Sequence, residues 1–493
     1  MISEESKKIL EINYALTAEK DREALLEHIL SATMEMTNCD AGTLYIATDE
    51  ELIFKVMITK SLGILKGARH EPINLPPIPI SKENVCAYTV LEKKITNIPD
   101  VYHSDLFNFE GPIRYDRLTG YKTISMLTVP MENNFGEIIG VMQLINSQDE
   151  AGEIIPFSED SELVALSLGA QAAVCLTNMN YTKQLEELMQ SMVKTISTAI
   201  NLRSPYNVTH TNNMVFYAKH FMEWANQKED CEWKFSEFDQ SLLEMTIWLH
   251  DIGKLITPLE IMNKATRLGA HYEKIIERFE LILLCEELHA IKEGTDTVAL
   301  QKEQQETLEF IEHMNTIGYL EDDNYARVQE LAHKTYRDGK GKVQKWFLEE
   351  EIACLSIRKG TLTEEERVTM QEHVILTEQL LAKMKFNGRY QNVPLWARSH
   401  HELLDGSGYP KKLTDHEIER EVRLLTILDI YDGLSSTDRP YKAGFSLKKS
   451  LEILESMADE KKLDKTILDL FQASEPWNAK GREDFSTILS NLI

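Results

Sequence analysis

The sequence is short of positive charge. Against 80 Asp and Glu there are 53 Lys and Arg, giving a formal net charge of −27 over 493 residues. Such a field repels polyanions, which argues against a nucleic-acid backbone or an anionic membrane as the main partner, while local cations can still make one cleft attractive to a small phosphate ester. Cysteine is also sparse. Its six copies, Cys39, Cys86, Cys175, Cys231, Cys285 and Cys354, form no CxxC pair and no dense framework, which suits a reducing cytosol where each is a small buried apolar residue. Long hydrophobic runs are missing: VALSLGAQAAVCL at 164–176 is shorter than the roughly 20 residues a bilayer span needs. The N-terminal MISEESKKILEINYAL has no apolar h-region, so no signal peptide and a cytoplasmic location are expected.

What is present supports proper cores. Hydrophobic residues make up 43% of the chain, and its length calls for two or three domains. Helical patterns around 4–17 and 21–37 precede strand-like runs at 41–48 and 51–59; later runs at 122–133 and 136–147 form a hairpin pattern about Asn133-Asn134-Phe135-Gly136. Residues 1–175 therefore read as an α+β domain on an antiparallel sheet. Beyond about 200 strand signals almost vanish, and residues 201–493 read as all-α. Between them, 176–200 reads as a long connecting helix: Leu185, Leu188, Met192, Ile196 and Ala199 recur at spacings of three and four. That stripe is either a two-stranded coiled-coil seam, making a homodimer, or a helix packed on its own domain.

Five separated pieces of the helical part carry chemistry. YNVTHTNN at 206–213 supplies His210; TIWLHDIGK at 246–254 supplies His250, Asp251 and Lys254; QEHVILTE at 371–378 supplies His373; SHHELLDGSGYP at 399–410 supplies His400 and His401; and LLTILDIYDGLSSTDRPYK at 424–442 supplies Asp429. Imidazole and carboxylate are the ligands suited to Fe, Mn or Zn. Taken singly, His210 or His373 is an ordinary packing or surface histidine. In combination, in contexts as apolar as IWLHDIG and LLTILDIYD, metal coordination is the less costly account, because unpaired buried charge is expensive. Adjacent residues on a helix point about 100° apart, so His400 and His401 serve one site only if it lies between their directions. The two oxygens of Asp251 can bridge two cations held roughly 3.5–4 Å apart.

Two resemblances follow from these residues. DAGTLYI at 40–46, PIPISKENVCAYTV at 77–90, NIPDVY at 97–102, YDRLTGYKTISMLTVPM at 115–131 and GVMQLIN at 140–146 resemble the GAF family of small-molecule sensor domains. Asn146, Phe157 and Asp160 have counterparts in the signature of the cyclic-nucleotide-binding members, but Ser147 stands where those carry lysine. A cyclic nucleotide is thus one candidate ligand, and a dimerising domain without a ligand is the other reading. HDIGK at 250–254, HHELLDGSGYP at 400–410 and DIYDGLSSTDRPYK at 429–442 resemble the HD-GYP branch of the HD phosphohydrolases, which degrade cyclic dinucleotides.

The resemblance implies a metal-ligand set of His210, His250, Asp251, His373, His400, His401 and Asp429. It places Lys254 beside the substrate phosphate, Tyr409 on the pocket wall, and Arg439 and Lys442 on the ligand's phosphate. The family often carries a glutamate where Asn201 stands, so two divalent ions per chain are expected rather than three, Fe or Mn first, with Zn, Ni or Mg as alternatives. The implied activity is hydrolysis of c-di-GMP by a metal-activated hydroxide under control of the GAF domain. The alternatives are a cyclic-dinucleotide receptor with little turnover, or a phosphohydrolase acting on another nucleotide such as 3',3'-cGMP-AMP. Residues 261–269 and 355–363 both resemble the end of the family's short linker, so about 270–352 is expected to be a helical insertion, with His271, His289, His313 and His333 as ordinary residues in it.

Overall fold

The computed structural model describes residues 14, 21–203, 209–294, 296–386, 388–436 and 444–479, in two units that divide between Leu188 and Met189. The helix expected over 4–17 lies, but for Tyr14, outside the described residues, as do Arg439 and Lys442.

In the first unit, helix α1 (Arg22–Met36) starts where the Asp21 carboxylate accepts the N–H groups of Glu23 and Ala24 at 2.9 and 2.8 Å. It is followed by β1 (Cys39–Ala47), β2 (Glu51–Thr59), β3 (Ile64–Gly67), β4 (Ile78–Pro79), α2 (Val85–Glu92), β5 (Thr96–Ile98), α3 (Glu110–Thr119), β6 (Met126–Glu132), β7 (Ile138–Gln148), β8 (Ile154–Ile155) and α4 (Glu159–Asn201). The strands form one antiparallel sheet in the order β3-β2-β1-β7-β6-β5, with β4 on β2 and β8 on β7. Because side chains alternate along a strand, Leu44, Leu127, Val129 and Met142 pack with α1 and the first half of α4. Tyr45, Met126 and Val141 face the other way, with Val85 and Cys86 of α2.

The glycine of DAGT lies where α1 packs tightly on the sheet. A Cβ on Gly42 would meet Leu30 Cδ1 at 2.8 Å and Met34 Sδ at 2.9 Å. The expected hairpin turn is present: Asn133 Oδ1 accepts from the Phe135 and Glu137 N–H groups at 2.9 and 3.0 Å, and Gly136 has φ +78°.

Helix α4 is unbroken. By length and composition alone it could cross a membrane; Ala165, Leu168, Ala172, Ala173 and Leu176 of it are buried in the core of the first unit. Further along, Val193 belongs to the core of the second unit. The stripe residues Leu185, Leu188 and Met192 are instead 65, 56 and 56% exposed.

The second unit contains α5 (His210–Gln227), α6 (Glu237–Leu249), α7 (Leu259–Met262), α8 (His271–Glu293), α9 (Val298–Thr316), α10 (Asp322–Leu331), β9 (Thr335–Arg337), β10 (Val343–Lys345), α11 (Glu349–Leu355), α12 (Glu364–Gln371), α13 (His373–Leu381), α14 (Val393–Arg398), α15 (Arg420–Ser435), α16 (Leu447–Asp459) and α17 (Lys465–Ser474). Phe221, Ile247, Trp396, Leu428 and Phe471 share its main core. Ile275, Phe279, Ile311, Trp346 and Phe347 form a separate one, so the 270–352 segment buries its own apolar face. Its two flanks lie side by side: Thr361 Oγ1 donates to the Lys264 carbonyl at 3.0 Å, Lys264 Nζ pairs with Glu366 at 2.7 Å, and the Arg267 guanidinium donates to the Ile357 carbonyl. One detail departs from an all-helical segment. β9 and β10 make a hairpin, because Asp338 Oδ1 accepts from the Lys340 and Lys342 N–H groups at 2.9 Å each and Gly341 adopts φ +81°. All six cysteines are free.

Candidate metal centre

Five helices and two turns meet at one point of the second unit. Helix α6 ends at Leu249 and the chain tightens into a 3-10 turn over Ile252–Leu255, leaving His250 and Asp251 at the junction. Gly253 is what lets that turn lie on α13. A Cβ there would sit 1.9 Å from the His373 carbonyl oxygen and 2.7 Å from the Thr377 nitrogen. Thr377 stitches the two together, its Oγ1 accepting from the Gly253 N–H at 2.9 Å and donating to the His250 carbonyl at 3.1 Å. His400 and His401 follow the end of α14, and Thr426 of α15 donates to the His400 carbonyl at 2.9 Å. Helix α15 supplies Asp429 and Asp432, three residues apart and so on one face, and α5 begins with His210.

The histidines are oriented by their backbones. Nδ1 of His250, His373 and His400 lies 2.6 Å from the carbonyl oxygen three residues earlier, that of Ile247, Met370 and Ala397 respectively. A carbonyl only accepts, so each Nδ1 carries the proton and each Nε2 presents a lone pair. Those three Nε2 atoms and Asp251 Oδ1 are buried without a hydrogen-bond partner. Yet Asp251 Oδ1 stands 3.3 Å from His373 Nε2 and 3.9 Å from His400 Nε2, and Oδ2 stands 3.2 Å from His250 Nε2. Acceptors converging on acceptors repel one another unless positive charge lies among them.

The donor atoms form two groups, His210 with His250 and Asp251, and His373 with His400 and His401, each with all ligand atoms within 4.8 Å of one another. Two carboxylates tie the groups together. Asp251 touches His250 on one side and His373 on the other; Asp429 lies 3.1 Å from His210 Nε2 and 3.5 Å from His401 Nδ1. His210 is held from behind by Asp432, whose Oδ2 is 2.7 Å from Nδ1 and whose Oδ1 accepts from Asn213 at 2.8 Å.

The electrostatics match this donor set. Burial holds the His373 imidazole down to about 4 and that of His400 well below its ordinary value, so both are neutral at pH 7. Burial pushes the Asp251 carboxyl up, but the facing His250 and the Lys254 ammonium outweigh it and hold it well below the usual carboxylate range. Asp429 is treated the same way, by burial and then more strongly by His210 and His401. For His210 burial is opposed by Asp429 and Asp432, which lift it to about 10. Neutral imidazoles and ionised carboxylates are what divalent Fe, Mn or Zn require; His373, His400, Asp251 and Asp429 already meet this and the orphaned Nε2 and Oδ1 atoms fit such ions, whereas His210 would have to give up its proton to join them.

All seven residues expected as ligands come together here, with Lys254 Nζ 2.6 Å from Asp251 Oδ2. Tyr409 lies at the same place, its ring 4.8 Å from that of His401 and inclined by 35°. Gly408 allows this: a Cβ would be 2.3 Å from the Leu403 nitrogen. Buried Glu402 clamps the loop by accepting from the Lys411 and Leu413 N–H groups at 2.6 and 2.9 Å. Sequence reasoning missed the roles of Asp432, Thr377 and Glu402; the only signals were that Asp432 follows Asp429 by one helical turn and Thr377 follows His373 by one. The insertion's histidines lie outside both donor groups; His289, for one, contacts the Asp338 carbonyl at 3.2 Å.

Comparison with known proteins bears on both units. Residues 21–176 match the GAF domain family, and 300–467 match an HD domain family; the latter stretch includes His373, His400, His401 and Asp429, while His210, His250 and Asp251 precede it. Over 98 residues the chain is 39% identical to 3'3'-cGAMP-specific phosphodiesterase 3 of Vibrio cholerae, covering 20% of each chain. It is 37% identical over 98 residues to the cyclic di-GMP phosphodiesterase response regulator RpfG of Xanthomonas campestris, covering 20% of this chain and 25% of that one. It is 43% identical over 82 residues to the dual 3',5'-cyclic-AMP and -GMP phosphodiesterase 11A of Takifugu rubripes, covering 17% of this chain and 8% of that one. The chain thus spans a quarter or less of the length of these relatives.

Proposed function

From a chain that carries a GAF domain and an HD domain, we propose a metal-dependent phosphodiesterase of the HD-GYP type that hydrolyses cyclic dinucleotides, c-di-GMP first. The observation that carries this reading is the convergence of the His250, His373 and His400 Nε2 atoms on Asp251, each imidazole fixed by a backbone carbonyl with its lone pair pointing inward. His210, His250 and Asp251 would hold one ion and His373, His400 and His401 the other, with Asp251 and Asp429 shared. Bound there, two divalent cations supply charge for the non-bridging oxygens of a phosphodiester and a water acidic enough to lose its proton near neutrality.

The chain's own groups do the rest. Lys254 holds its ammonium at the edge of the donor cluster, 17% exposed, where it can reach a phosphoryl oxygen as well as Asp251. The Tyr409 ring, lying over His401, offers an apolar face to a nucleobase. Arg439 and Lys442 are proposed to hold the phosphate from the RPYK run. Regulation is assigned to the GAF domain. The exposed Leu185, Leu188, Met192 and Ile196 of α4 support a homodimer through that helix, and six free cysteines agree with a cytoplasmic setting.

A second reading, with 3',3'-cGMP-AMP as substrate, is favoured by the similarity to the cGAMP-specific enzyme. One experiment addresses both: turnover of c-di-GMP and of 3',3'-cGMP-AMP by metal-loaded wild type, Asp251→Ala and Lys254→Ala. The expected result is loss of metal and turnover in Asp251→Ala, and retained metal with lost turnover in Lys254→Ala. A metal-loaded wild type that binds either dinucleotide without cleaving it would make the protein a receptor.

A further inference from the structure

The first unit has a partly open cavity of about 270 Å³ on the face of the sheet opposite α1, near the lower end of the roughly 300–1,000 Å³ common for small-molecule sites. Its aromatic walls include Tyr45, Phe54, Phe109, Tyr115 and Tyr121. Among the described residues, no side chain lining it is Asp, Glu, Lys, Arg or His.

An anion would find no charged side chain to hold it there, and at the start of α3, which also borders the cavity, Asn108 Oδ1 takes the Glu110 N–H at 2.9 Å and Pro112 has none to give. The start of α2 borders the cavity, but Asn84 Oδ1 already accepts from the Cys86 and Ala87 N–H groups at 2.9 and 3.2 Å, so the helix has spent those donors on its own cap. Two carboxylates stand behind the wall: Asp116, which accepts from the Thr123 N–H and hydroxyl at 2.8 and 2.9 Å, and Asp40, bonded to Ser61. Burying a phosphate near two carboxylates, with no cationic side chain in the lining, carries a heavy desolvation cost. The titratable lining groups are also neutral, the Cys86 thiol pushed up to about 12 by burial and the Tyr45 hydroxyl raised likewise.

One polar group is poised for a ligand. Buried Gln143, paired across the sheet with Thr43, accepts the Tyr45 hydroxyl at Oε1 at 2.8 Å, while its Nε2 has the Met126 thioether at 3.2 Å. Sulfur is a weak acceptor, so a carbonyl or ring nitrogen would be a better partner for that amide.

We infer that this cavity binds an uncharged, largely aromatic molecule that presents an acceptor to Gln143, and that it rejects cyclic nucleotides. The inference is independent of the hydrolase reading, because its readout is binding alone. The test titrates the full chain with acridone, a neutral fluorescent carbonyl heterocycle, and competes it with cAMP and cGMP. Micromolar acridone binding that neither nucleotide displaces is expected. Gln143→Leu should weaken it about fivefold, the worth of one hydrogen bond, and Ala41→Phe, which fills the cavity, should abolish it with the thermal melt retained. Should Ala41→Phe fail to fold, Gln143→Leu carries the test. No acridone binding, displacement by either nucleotide, or unchanged affinity in Gln143→Leu would overturn the inference.

Discussion

Adding one methyl group at Gly253 tests the geometry of the centre. The new Cβ would lie 1.9 Å from the His373 carbonyl oxygen and 2.7 Å from the Thr377 nitrogen, both backbone atoms that cannot swing aside. A comfortable contact needs about 3.5 Å, so the HDIG turn and α13 must part by about 1.5 Å. Asp251 rides on that turn and His373 opens α13, so their 3.3 Å approach would widen by a similar amount, and Asp251 could no longer serve both donor groups. Overpacking of this kind costs about 1–3 kcal/mol of stability, and a misplacement of about 1 Å at a reacting centre costs on the order of a hundredfold in rate. The assay measures metal per chain by elemental analysis, melting by calorimetry, and c-di-GMP turnover by chromatography. Gly253→Ala is expected to stay folded, lose at least one ion and fall about a hundredfold in turnover. Gly339→Ala, whose methyl meets nothing within 4 Å, should match wild type. A Gly253→Ala protein with native metal content and turnover would refute the reasoning.

Three further outcomes are expected. Asp432→Asn removes the charge behind His210 and should weaken metal affinity about 10–100-fold in a folded protein, read by chelator competition; unchanged affinity would deny Asp432 its positioning role. His210, lifted to about 10 by Asp429 and Asp432 against the effect of burial, stabilises the metal-free fold below the unfolded value of about 6.5, a contribution lost as pH rises through about 10. Metal loading at pH 8 should therefore release about one proton from this residue, measurable by calorimetry in buffers of different ionisation enthalpy, and loading without proton release would contradict it. Replacing 270–352 by a short Gly/Ser linker should leave metal content and turnover within a few-fold of wild type, since its flanks already meet at Lys264, Thr361 and Glu366; loss of metal would show that the insertion shapes the centre.

Much of the site was legible because its residues sit in short, distinctive runs. HDIGK and HHELLDGSGYP place six of the relevant side chains, His250, Asp251, Lys254, His400, His401 and Tyr409, within two stretches, and the sheet of the first unit follows from its short strand-like runs and the Asn133–Gly136 turn between two of them. What could not be read depends on partners distant in sequence. Asp432 meets His210 across 222 positions, and nothing local marks it except its spacing from Asp429. Thr377 looks like a routine helix residue until the Gly253 turn is laid against it. The 335–345 hairpin was hidden in a helical context because its signal is only the turn chemistry of Asp338 and Gly341.

The central claim is that these imidazoles and carboxylates hold divalent ions. Elemental analysis of the anaerobically purified full chain, before and after chelation, tests it most directly. The account predicts close to two Fe or Mn ions per chain, removed by chelator together with c-di-GMP turnover and restored with it on reloading. A folded chain that takes up no metal under any loading condition, or that keeps full turnover once stripped, would contradict it.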